Sequence, residues 1–192
     1  MSRERANREQ IYLNADNCFT VNEPLGIKAL TFTWMPSWWK ATENIVMGER
    51  YVLDPDYRVD AAVRMARAVA KRFPMMSIGD ADAQPTPIMP NWINATTASG
   101  AGSKVIYSDD NFPATTPLSA DVLKTLKPPE SIEALYPYSE VIRQVEYLNE
   151  KHGTDLKPHL FKNGTSNDLI QLMGDLAMTE AMEDTELFRH VL

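Results

Sequence analysis

The sequence predicts an α/β protein in which amphipathic helices alternate with short buried strands. Apolar residues recur at helical spacing over 54–73 and again over 138–153, and a short apolar run follows each helix. The runs are MMSIGD and LKPHLF. This order is typical of parallel strands joined by crossover helices. Two strong strands cannot close or fully cover a sheet, so we expect structure outside this chain to complete it.

Composition and charge exclude two classes of partner. Of the 192 residues, 44% are hydrophobic and 23% are charged, which is an ordinary balance for one globular domain. The net charge of -7 and the pI near 5.0 provide no basic surface for nucleic acid. No apolar stretch approaches the roughly 20 residues that span a bilayer, and MSRERANREQ lacks the apolar core of a secretory signal. We expect a cytoplasmic protein with no nucleic-acid or membrane partner.

The amino-terminal part of the chain predicts short elements. Alternating charges in the first dozen residues predict a surface helix within an amino-terminal extension over 1–23. The proline-bounded run 24–36 is rich in β-branched and aromatic residues and predicts an extended segment. Residues 38–48 predict a short helix, with Ser37 as N-cap and Gly48 at its left-handed end.

Local signals mark both ends of each long helix. Asp54, followed by proline and a second aspartate, predicts an N-cap and a first helical turn, and Pro74 predicts the end of that helix. The next long helix runs from Tyr138 to a stop at Gly153. Its apolar residues fall on one face and its charged residues on the others, so we expect it to cover a core.

The remaining segments predict a long loop and several smaller elements. Residues 80–104 are rich in proline and then in small residues, and we expect a loop that serves or covers a site. A brief strand over 104–108 and a short helix capped by Ser119 follow. A further helix, capped by Ser166 or Asn167, comes after the second long helix.

Four segments together resemble the amino-terminal part of the uroporphyrinogen decarboxylase superfamily. They are DPDYRVDAAVRMARAVAKRFP, DDNFPATTPLSADVLKTLKPP, YPYSEVIRQVEYLNEKHG and NGTSNDLIQLMGDLAMTEAMEDTELFRHVL. The resemblance covers residues 24–192 and rests on the spacing of these segments and on the motifs ADVLKTLKPP and DTELFRHV. Members of the superfamily are (β/α)8 barrels of roughly twice this length. The resemblance therefore implies a partial TIM barrel, the amino-terminal portion only.

The resemblance also implies lyase or methyltransferase chemistry. The superfamily contains the decarboxylase of haem synthesis and methyltransferases linked to corrinoids or coenzyme M. The decarboxylase arginines that hold acidic substrate groups have no counterpart in WMPSWWKATEN, which favours the methyltransferases. Zinc and a corrinoid are cofactors of full-length relatives, whose zinc ligands lie in the carboxy-terminal half. His152 and His159 lie seven residues apart with no cysteine nearby, so we do not expect them to bind a metal. We expect no cofactor within this chain. Whether the chain is an enzyme stays open.

Asp80 and Asp82 are the candidate catalytic residues. They follow the first predicted strand, and catalytic groups gather at the carboxy ends of strands in such barrels. Two acids one residue apart repel each other and can hold their protons with different strength. The resemblance implies that Asp80 or Asp82 is the nearest equivalent of the decarboxylase aspartate, which holds the pyrrole N–H groups of the substrate. The alternative is a solvated turn or a helix cap.

Trp34, Trp38 and Trp39 are candidate substrate-binding residues. Three indoles in one neighbourhood can form an aromatic wall for a flat ligand such as a tetrapyrrole or a corrinoid. They can equally pack the amino-terminal extension onto the barrel. The expected ligand in the first case is a small-molecule substrate, either a tetrapyrrole or a methyl donor.

The turn formed by Asn163, Gly164 and Thr165 is a further candidate for substrate binding. It follows the second predicted strand and opens a helix, so its backbone N–H groups can receive a carboxylate. The alternative is an ordinary capped turn without a ligand.

Two other hypotheses stay open. The chain can be a non-catalytic interaction or binding protein, built on a truncated barrel that uses a strand edge or the tryptophan surface. It can also be an independent small α/β fold, which requires more strands within 24–36 and 86–108. Under the leading hypothesis, a homo-oligomer or a companion chain supplies the rest of the barrel.

Overall fold

Helices make up most of the secondary structure in the computed structural model, which describes residues 18–19, 30–31, 34–75, 78–92, 95–159, 164–183 and 185–191. The helices of these residues are α1 (Pro36–Glu43), α2 (Glu49–Leu53), α3 (Pro55–Arg72), α4 (Thr96–Gly100), α5 (Ala120–Leu123), α6 (Tyr138–His152), α7 (Thr165–Met173), α8 (Leu176–Glu183) and α9 (Thr185–Val191). The strands are β1 (Cys18–Phe19), β2 (Leu30–Thr31), β3 (Val105–Ile106) and β4 (Ala114–Thr115). None of the described helices is both long and apolar enough to cross a membrane.

Helix α3 begins where the sequence predicts. The side chain of Asp54 accepts hydrogen bonds from the backbone N–H groups of Asp56 and Tyr57, both at 3.0 Å. These bonds satisfy two of the donors that the start of a helix leaves without a partner. Pro55 occupies the first helical position, where its missing N–H group removes no hydrogen bond. The buried apolar residues of α3 are Val59, Ala61, Ala68 and Val69.

Helix α6 is the second element that confirms its prediction. It buries Val141, Val145 and Leu148 along one face. The helix ends at Gly153, whose φ of 64° is left-handed and suits glycine because glycine has no side chain to clash. The N–H group of Gly153 donates to the carbonyl oxygen of Asn149, so the last turn of the helix is closed.

The predicted caps of helix α1 are wrong. The helix starts at Pro36 after Met35, so Ser37 lies inside its first turn. It ends at Glu43 and is capped by Asn44, which has a φ of 51° and lies four residues before Gly48. Asparagine takes up this left-handed conformation more readily than most residues because its short polar side chain can form local hydrogen bonds.

Ser119 caps helix α5 as predicted, since its Oγ accepts a hydrogen bond from the N–H group three residues on, at 3.5 Å. Helix α7 instead starts after Gly164, and the predicted caps Ser166 and Asn167 lie in its first turn. The helix predicted after this turn is divided into α7 and α8 at Gly174, whose φ of 58° interrupts the helical path.

The strands form two separate antiparallel pairs. Strand β1 pairs with β2, and β3 pairs with β4 in a register that sets Val105 opposite Thr115. Strand β3 lies within the strand predicted over 104–108, and β2 lies within the extended segment predicted over 24–36. The surface helix predicted for the first dozen residues lies outside the described residues.

The two strong buried strands, MMSIGD and LKPHLF, are wrong where the structure describes them, because neither belongs to a ladder. Some of their backbone N–H groups donate hydrogen bonds to a neighbouring helix instead. The N–H group of Asp80 donates to the carbonyl oxygen of Ala66 in α3 at 3.0 Å. The N–H group of Leu156 donates to Oδ1 of Asn149 in α6 at 2.8 Å. Parallel pairing is absent from the described strands, and the partial (β/α)8 barrel stays a prediction.

The helices pack around three apolar clusters. The first cluster lies between α1 and α3 and includes Trp39 and Ile78. The second cluster joins α5 to the last three helices and includes Leu123 and Met173. The third cluster lies beside α6 and includes Trp92, which is fully buried. Burial of these side chains is the main favourable contribution to the stability of the fold.

A buried arginine joins helix α3 to helix α6. Only 1% of Arg58 is exposed, and its guanidinium donates to Oε1 of Gln144 at 2.6 Å. It also donates to the carbonyl oxygens of Tyr51, Val52 and Ile88, at 2.9 to 3.1 Å. Burial lowers the pKa of Arg58 to about 10, so the side chain still carries its charge at neutral pH. The carbonyl dipoles around it take the place of water.

The loop after α3 runs back along that helix. Three hydrogen bonds attach it, joining Asp80 to Ala66, Ala83 to Arg67 and Ile88 to Arg58. The first two attachments are to the neighbouring residues Ala66 and Arg67, and the last is to Arg58 near the amino-terminal end of α3, so the loop runs back along the helix. The loop is therefore fixed at its start, near its middle and towards its end.

Candidate functional site

The candidate pocket lies where the chain leaves helix α3 and enters the attached loop. It has a volume of about 210 Å³. Its lining residues come from the end of the helix and from the following turn, and they are Ala70, Phe73, Pro74, Ile78, Gly79, Asp80, Ala81 and Asp82. Both candidate catalytic residues are among them, and the other side chains that line the pocket are apolar.

Gly79 allows the loop to approach the helix closely. Its φ is 73°, in the left-handed region that L side chains rarely adopt. A Cβ atom at this position would lie 2.5 Å from the carbonyl oxygen of Ala66 and 2.5 Å from the backbone nitrogen of Ala70. Only glycine fits here without a shift of backbone, and this contact fixes the position of Asp80 beside the helix.

The side chain of Asp80 stabilises the turn that carries Asp82. Its Oδ1 accepts a hydrogen bond from the N–H group of Asp82 at 2.9 Å, as in a local turn built by aspartate. Ala83 closes the same turn with a backbone bond to the carbonyl oxygen of Asp80 at 3.4 Å. One carboxylate oxygen of Asp80 is therefore already occupied by the fold.

Asp82 is exposed and contributes its backbone to the turn. Its carbonyl oxygen accepts a hydrogen bond from the side chain of Gln84 at 2.9 Å. Within the described residues its carboxylate has no hydrogen bond or ion pair. Carboxylate oxygens accept hydrogen bonds only, so this side of the pocket suits a ligand that presents N–H or O–H groups.

The three candidate tryptophans form one aromatic cluster. The ring centroids of Trp34 and Trp38 lie 4.4 Å apart, and those of Trp38 and Trp39 lie 4.7 Å apart in an edge-to-face arrangement. Trp39 is 4% exposed and belongs to the first apolar cluster, whereas Trp34 and Trp38 are half-buried. The guanidinium of Arg72 lies over the ring of Trp38 at 5.6 Å and pairs with Glu43 at 2.6 Å.

Phe73 joins the tryptophan cluster to the pocket. Its ring centroid lies 5.3 Å from that of Trp34, and the same side chain lines the pocket together with Asp80 and Asp82. The structure thus brings together two groups of residues that the sequence predicts separately. Phe73 itself was not a predicted site residue. Its position at the end of α3, immediately before the proline that stops the helix, is the signal that could have indicated it.

The third group of candidate residues does not join this pocket. Asn163 lies outside the described residues. Gly164 and Thr165 are exposed at the start of α7, and the buried end of that helix belongs to the second apolar cluster. Neither Gly164 nor Thr165 is among the residues that line the pocket beside Asp80.

The described part of the chain does not supply a ligand set for zinc. It contains no group of three or more histidine, cysteine, aspartate or glutamate side chains placed to hold a metal ion. The pKa of Asp56 is lowered first by its hydrogen bond from Lys151, and His152 helps to lower it. Nδ1 of His159 lies at hydrogen-bond distance, 3.4 Å, from the carbonyl oxygen of Lys157. The zinc that the resemblance implies therefore does not fit these residues.

No protein-family model, curated protein or solved structure matches the chain. The resemblance to the uroporphyrinogen decarboxylase superfamily thus rests on the sequence motifs alone.

Proposed function

We propose that this chain is the amino-terminal part of a uroporphyrinogen-decarboxylase-like protein, on the methyltransferase side of that superfamily, and that it works in the cytoplasm. Its role in the proposal is to bind one edge of a small-molecule substrate, a tetrapyrrole or a methyl donor. The observation that carries the proposal is the link through Phe73, which connects Trp34 to the pocket of Asp80 and Asp82.

The aromatic rings and the carboxylates of Asp80 and Asp82 support a flat ligand with hydrogen-bond donors. Aromatic rings offer a face on which a planar ligand can stack. The carboxylate of Asp82 and the second oxygen of Asp80 can accept N–H groups from its edge. The pocket volume of about 210 Å³ lies below the roughly 300 Å³ at which pockets for drug-sized ligands begin. We therefore propose that this pocket binds only one edge of the ligand.

The proposal assigns no catalytic step to Asp80 or Asp82. The resemblance implies that the metal and the nucleophile of methyltransferases belong to the carboxy-terminal half of full-length relatives. Residues of this chain then bind and orient the substrate, and a homo-oligomer or a companion chain supplies the remaining groups.

The second candidate is a non-catalytic binding protein. It is favoured by the structural role of Asp80, whose carboxylate already holds the turn, and by the tryptophans, which pack mainly against one another. In this reading the pocket is a feature of loop packing. The two candidates differ in whether the pocket binds a tetrapyrrole.

Calorimetric titration of the full chain with two probes tests the proposal. The probes are uroporphyrinogen, which carries four pyrrole N–H groups, and hydroxocobalamin as a corrinoid. We expect saturable binding of at least one probe, weakened about fivefold by Asp82→Asn because one charged acceptor is lost. Asp121→Asn, an exposed carboxylate on α5, is the matched control and should leave binding unchanged. Absence of binding for both probes would contradict the proposal and favour the second candidate.

A further inference from the structure

A further pocket lies beside the first turns of helix α6 and shares no lining residue with the pocket of Asp80 and Asp82. Its volume of about 340 Å³ falls within the range of roughly 300 to 1,000 Å³ for small-molecule sites. Tyr138, Val141 and Ile142 form one wall, because residues three and four positions apart lie on the same face of a helix. Val141 is 1% exposed and belongs to the third apolar cluster, so this wall is part of the packed interior.

The segment before α6 places a carboxylate at this pocket. It contributes Ile132, which is 50% exposed, and Glu133. The carbonyl oxygen of Ile132 accepts a hydrogen bond from the N–H group of Leu135 at 3.0 Å, so the chain forms a closed turn here. Oγ of Ser131 donates to Oε2 of Glu133 at 2.9 Å and orients the carboxylate. A carboxylate has about four acceptor sites, so that of Glu133 can still accept N–H groups from a ligand.

The segment after α6 forms the remaining wall with Pro158 and His159. Asn149 of α6 attaches this segment, since its side-chain amide donates to the carbonyl oxygen of Leu156 at 2.9 Å. Nδ1 of His159 lies 3.4 Å from the carbonyl oxygen of Lys157. A carbonyl oxygen can only accept, so Nδ1 carries the proton of this bond and Nε2 of the neutral ring is an acceptor. Both polar groups that complete the pocket can therefore accept hydrogen bonds.

The charges around the pocket favour a cation. Hydrogen bonds from its own N–H group and from Ser131 lower the pKa of Glu133, so this carboxylate is ionised at neutral pH. No lysine or arginine is among the described residues that line the pocket. Arg143 and Lys157, which adjoin lining residues in the sequence, each pair with a carboxylate. The negative charge of Glu140 in the first turn of α6 offsets the attraction of the helix dipole for an anion.

We infer that this pocket binds a small primary amine that carries an apolar ring. The ring packs against the apolar wall of α6, where an aromatic and two aliphatic side chains face it. The ammonium group donates hydrogen bonds to the carboxylate of Glu133 and to Nε2 of His159. The inference rests on this pocket alone and does not depend on the proposed function.

Nuclear magnetic resonance of the full chain, labelled with 13C at the isoleucine δ1 methyl groups, tests this inference. The probes are 2-phenylethylammonium, the neutral 2-phenylethanol and the anion 3-phenylpropionate, which share an aromatic ring and differ in charge. At neutral pH and constant ionic strength, we expect the signals of Ile132 and Ile142 to shift saturably with the amine. The signal of Ile170, which is also 50% exposed but does not line the pocket, should not saturate.

The order of affinities measures the contribution of charge. The amine should bind about three- to fivefold more tightly than the alcohol, which is the usual strength of an exposed ion pair. The anion should bind more weakly than the alcohol, because its carboxylate and that of Glu133 repel each other.

Substitution of Glu133 separates charge from apolar contact. Glu133→Gln keeps an oxygen that can accept from Ser131, and it should abolish the preference for the amine while leaving the affinity of the alcohol unchanged. Glu130→Gln is the matched control, because Glu130 is an exposed carboxylate of the same segment that does not line the pocket. This variant should keep the preference for the amine.

Substitution of Ile132 tests the apolar part of the pocket. Ile132→Ala should weaken binding of both the amine and the alcohol about threefold, because apolar contact is lost. Ile170→Ala is its control and should change neither affinity. Shifts that never saturate, an amine that binds no more tightly than the alcohol, tighter binding of the anion, or a preference that survives Glu133→Gln would each overturn the inference.

Discussion

Nη2 of Arg58 lies 2.6 Å from Oε1 of Gln144, and this buried hydrogen bond joins two helices whose residues are 86 positions apart in the sequence. Gln144 in turn donates to the carbonyl oxygen of Val52 at 3.0 Å and to Glu140 at 2.7 Å. The charge of the arginine is thus distributed over a connected set of polar groups rather than paired with one carboxylate.

Replacement of Arg58 should destabilise the protein severely. Arg58→Met removes the donor to Oε1 of Gln144 and to three backbone carbonyl oxygens, of which only that of Val52 keeps another donor, from Gln144. We expect a loss of about 3 to 5 kcal/mol in the free energy of unfolding, measured by urea denaturation. Lys71→Met removes the same charge from an exposed position of the same helix and should change stability by less than about 0.5 kcal/mol. Equal effects of the two substitutions would contradict this prediction.

The Arg58 to Gln144 pair should be energetically coupled. In a double-mutant cycle with Arg58→Met and Gln144→Leu, the double variant should lose less stability than the sum of the single variants. Each single variant leaves one atom of the Arg58–Gln144 bond buried and unpaired, either Oε1 of Gln144 or Nη2 of Arg58, and the double variant contains neither atom. We expect a coupling of about 1 to 3 kcal/mol from urea denaturation of the four proteins. Additive effects would show that the hydrogen bond carries no net energy.

The N-cap of helix α3 should contribute measurably to stability. Asp54→Ala leaves the N–H groups of Asp56 and Tyr57 without their acceptor, and we expect a loss of about 1 kcal/mol. Asp60→Ala is the control, because Asp60 lies on the same helix and makes only an exposed ion pair with Arg64 at 3.8 Å. It should cost at most about 0.5 kcal/mol in the same denaturation experiment.

Stability should fall in acid through Asp54 and Glu140. The pKa of Asp54 is lowered, chiefly by the hydrogen bond from the N–H group of Tyr57, and that of Glu140 is lowered first by its hydrogen bond from Arg143. A carboxyl whose folded pKa is depressed stabilises the fold above its unfolded pKa of about 4, and this contribution is lost as the pH falls through the folded value. Tm measured from pH 6 to pH 3 should therefore decline below about pH 4. Asp54→Asn keeps a good cap but cannot titrate, so its decline should be shallower than that of the unmodified chain.

Substitution of Gly79 should disturb the candidate pocket. Gly79→Ala combines a left-handed backbone with a Cβ atom 2.5 Å from two backbone atoms of α3, and we expect a cost of about 3 kcal/mol. Gly153→Ala is the matched control, because Gly153 has a φ of 64° and nothing within 4 Å of an added Cβ atom. Its cost should be about 1 kcal/mol, from backbone strain alone. Thermal denaturation of both variants checks the difference, and an equal loss would mean that the close approach at Gly79 is unimportant.

Local signals were sufficient to predict the long helices, and they failed where the partner lies far away in the sequence. Asp54 and Gly153 act through backbone atoms within a few residues, so their roles follow from neighbouring residues alone. A strand depends on a partner at an unknown distance, and the runs predicted as strands have helix α3 or α6 as their neighbour instead. The apolar character of MMSIGD indicates burial correctly for Ile78 but does not identify what buries it.

The candidate site shows the same limit. Asp80 and Asp82 were predicted as catalytic residues at the end of a strand, with a solvated turn or a helix cap as the alternative, and the structure has them in a turn that lines a pocket. The helical spacing over 54–73 groups Arg58 with the charged residues of α3, yet it is buried because carbonyl oxygens of α2 and of the loop surround its guanidinium. Trp92, Tyr107 and Tyr136 form a hydrogen-bonded cluster of residues up to 44 positions apart, and no local pattern links them.

The attachment of the loop along α3 has a consequence for any molecule that enters its pocket. A segment that three hydrogen bonds attach to a helix has little conformational freedom before a ligand binds. Little conformational entropy therefore remains to be lost on binding. Displacement of α3 would carry both carboxylates with it as one body. We therefore expect the pocket to bind a ligand as a preorganised site, without closure of a loop over the ligand.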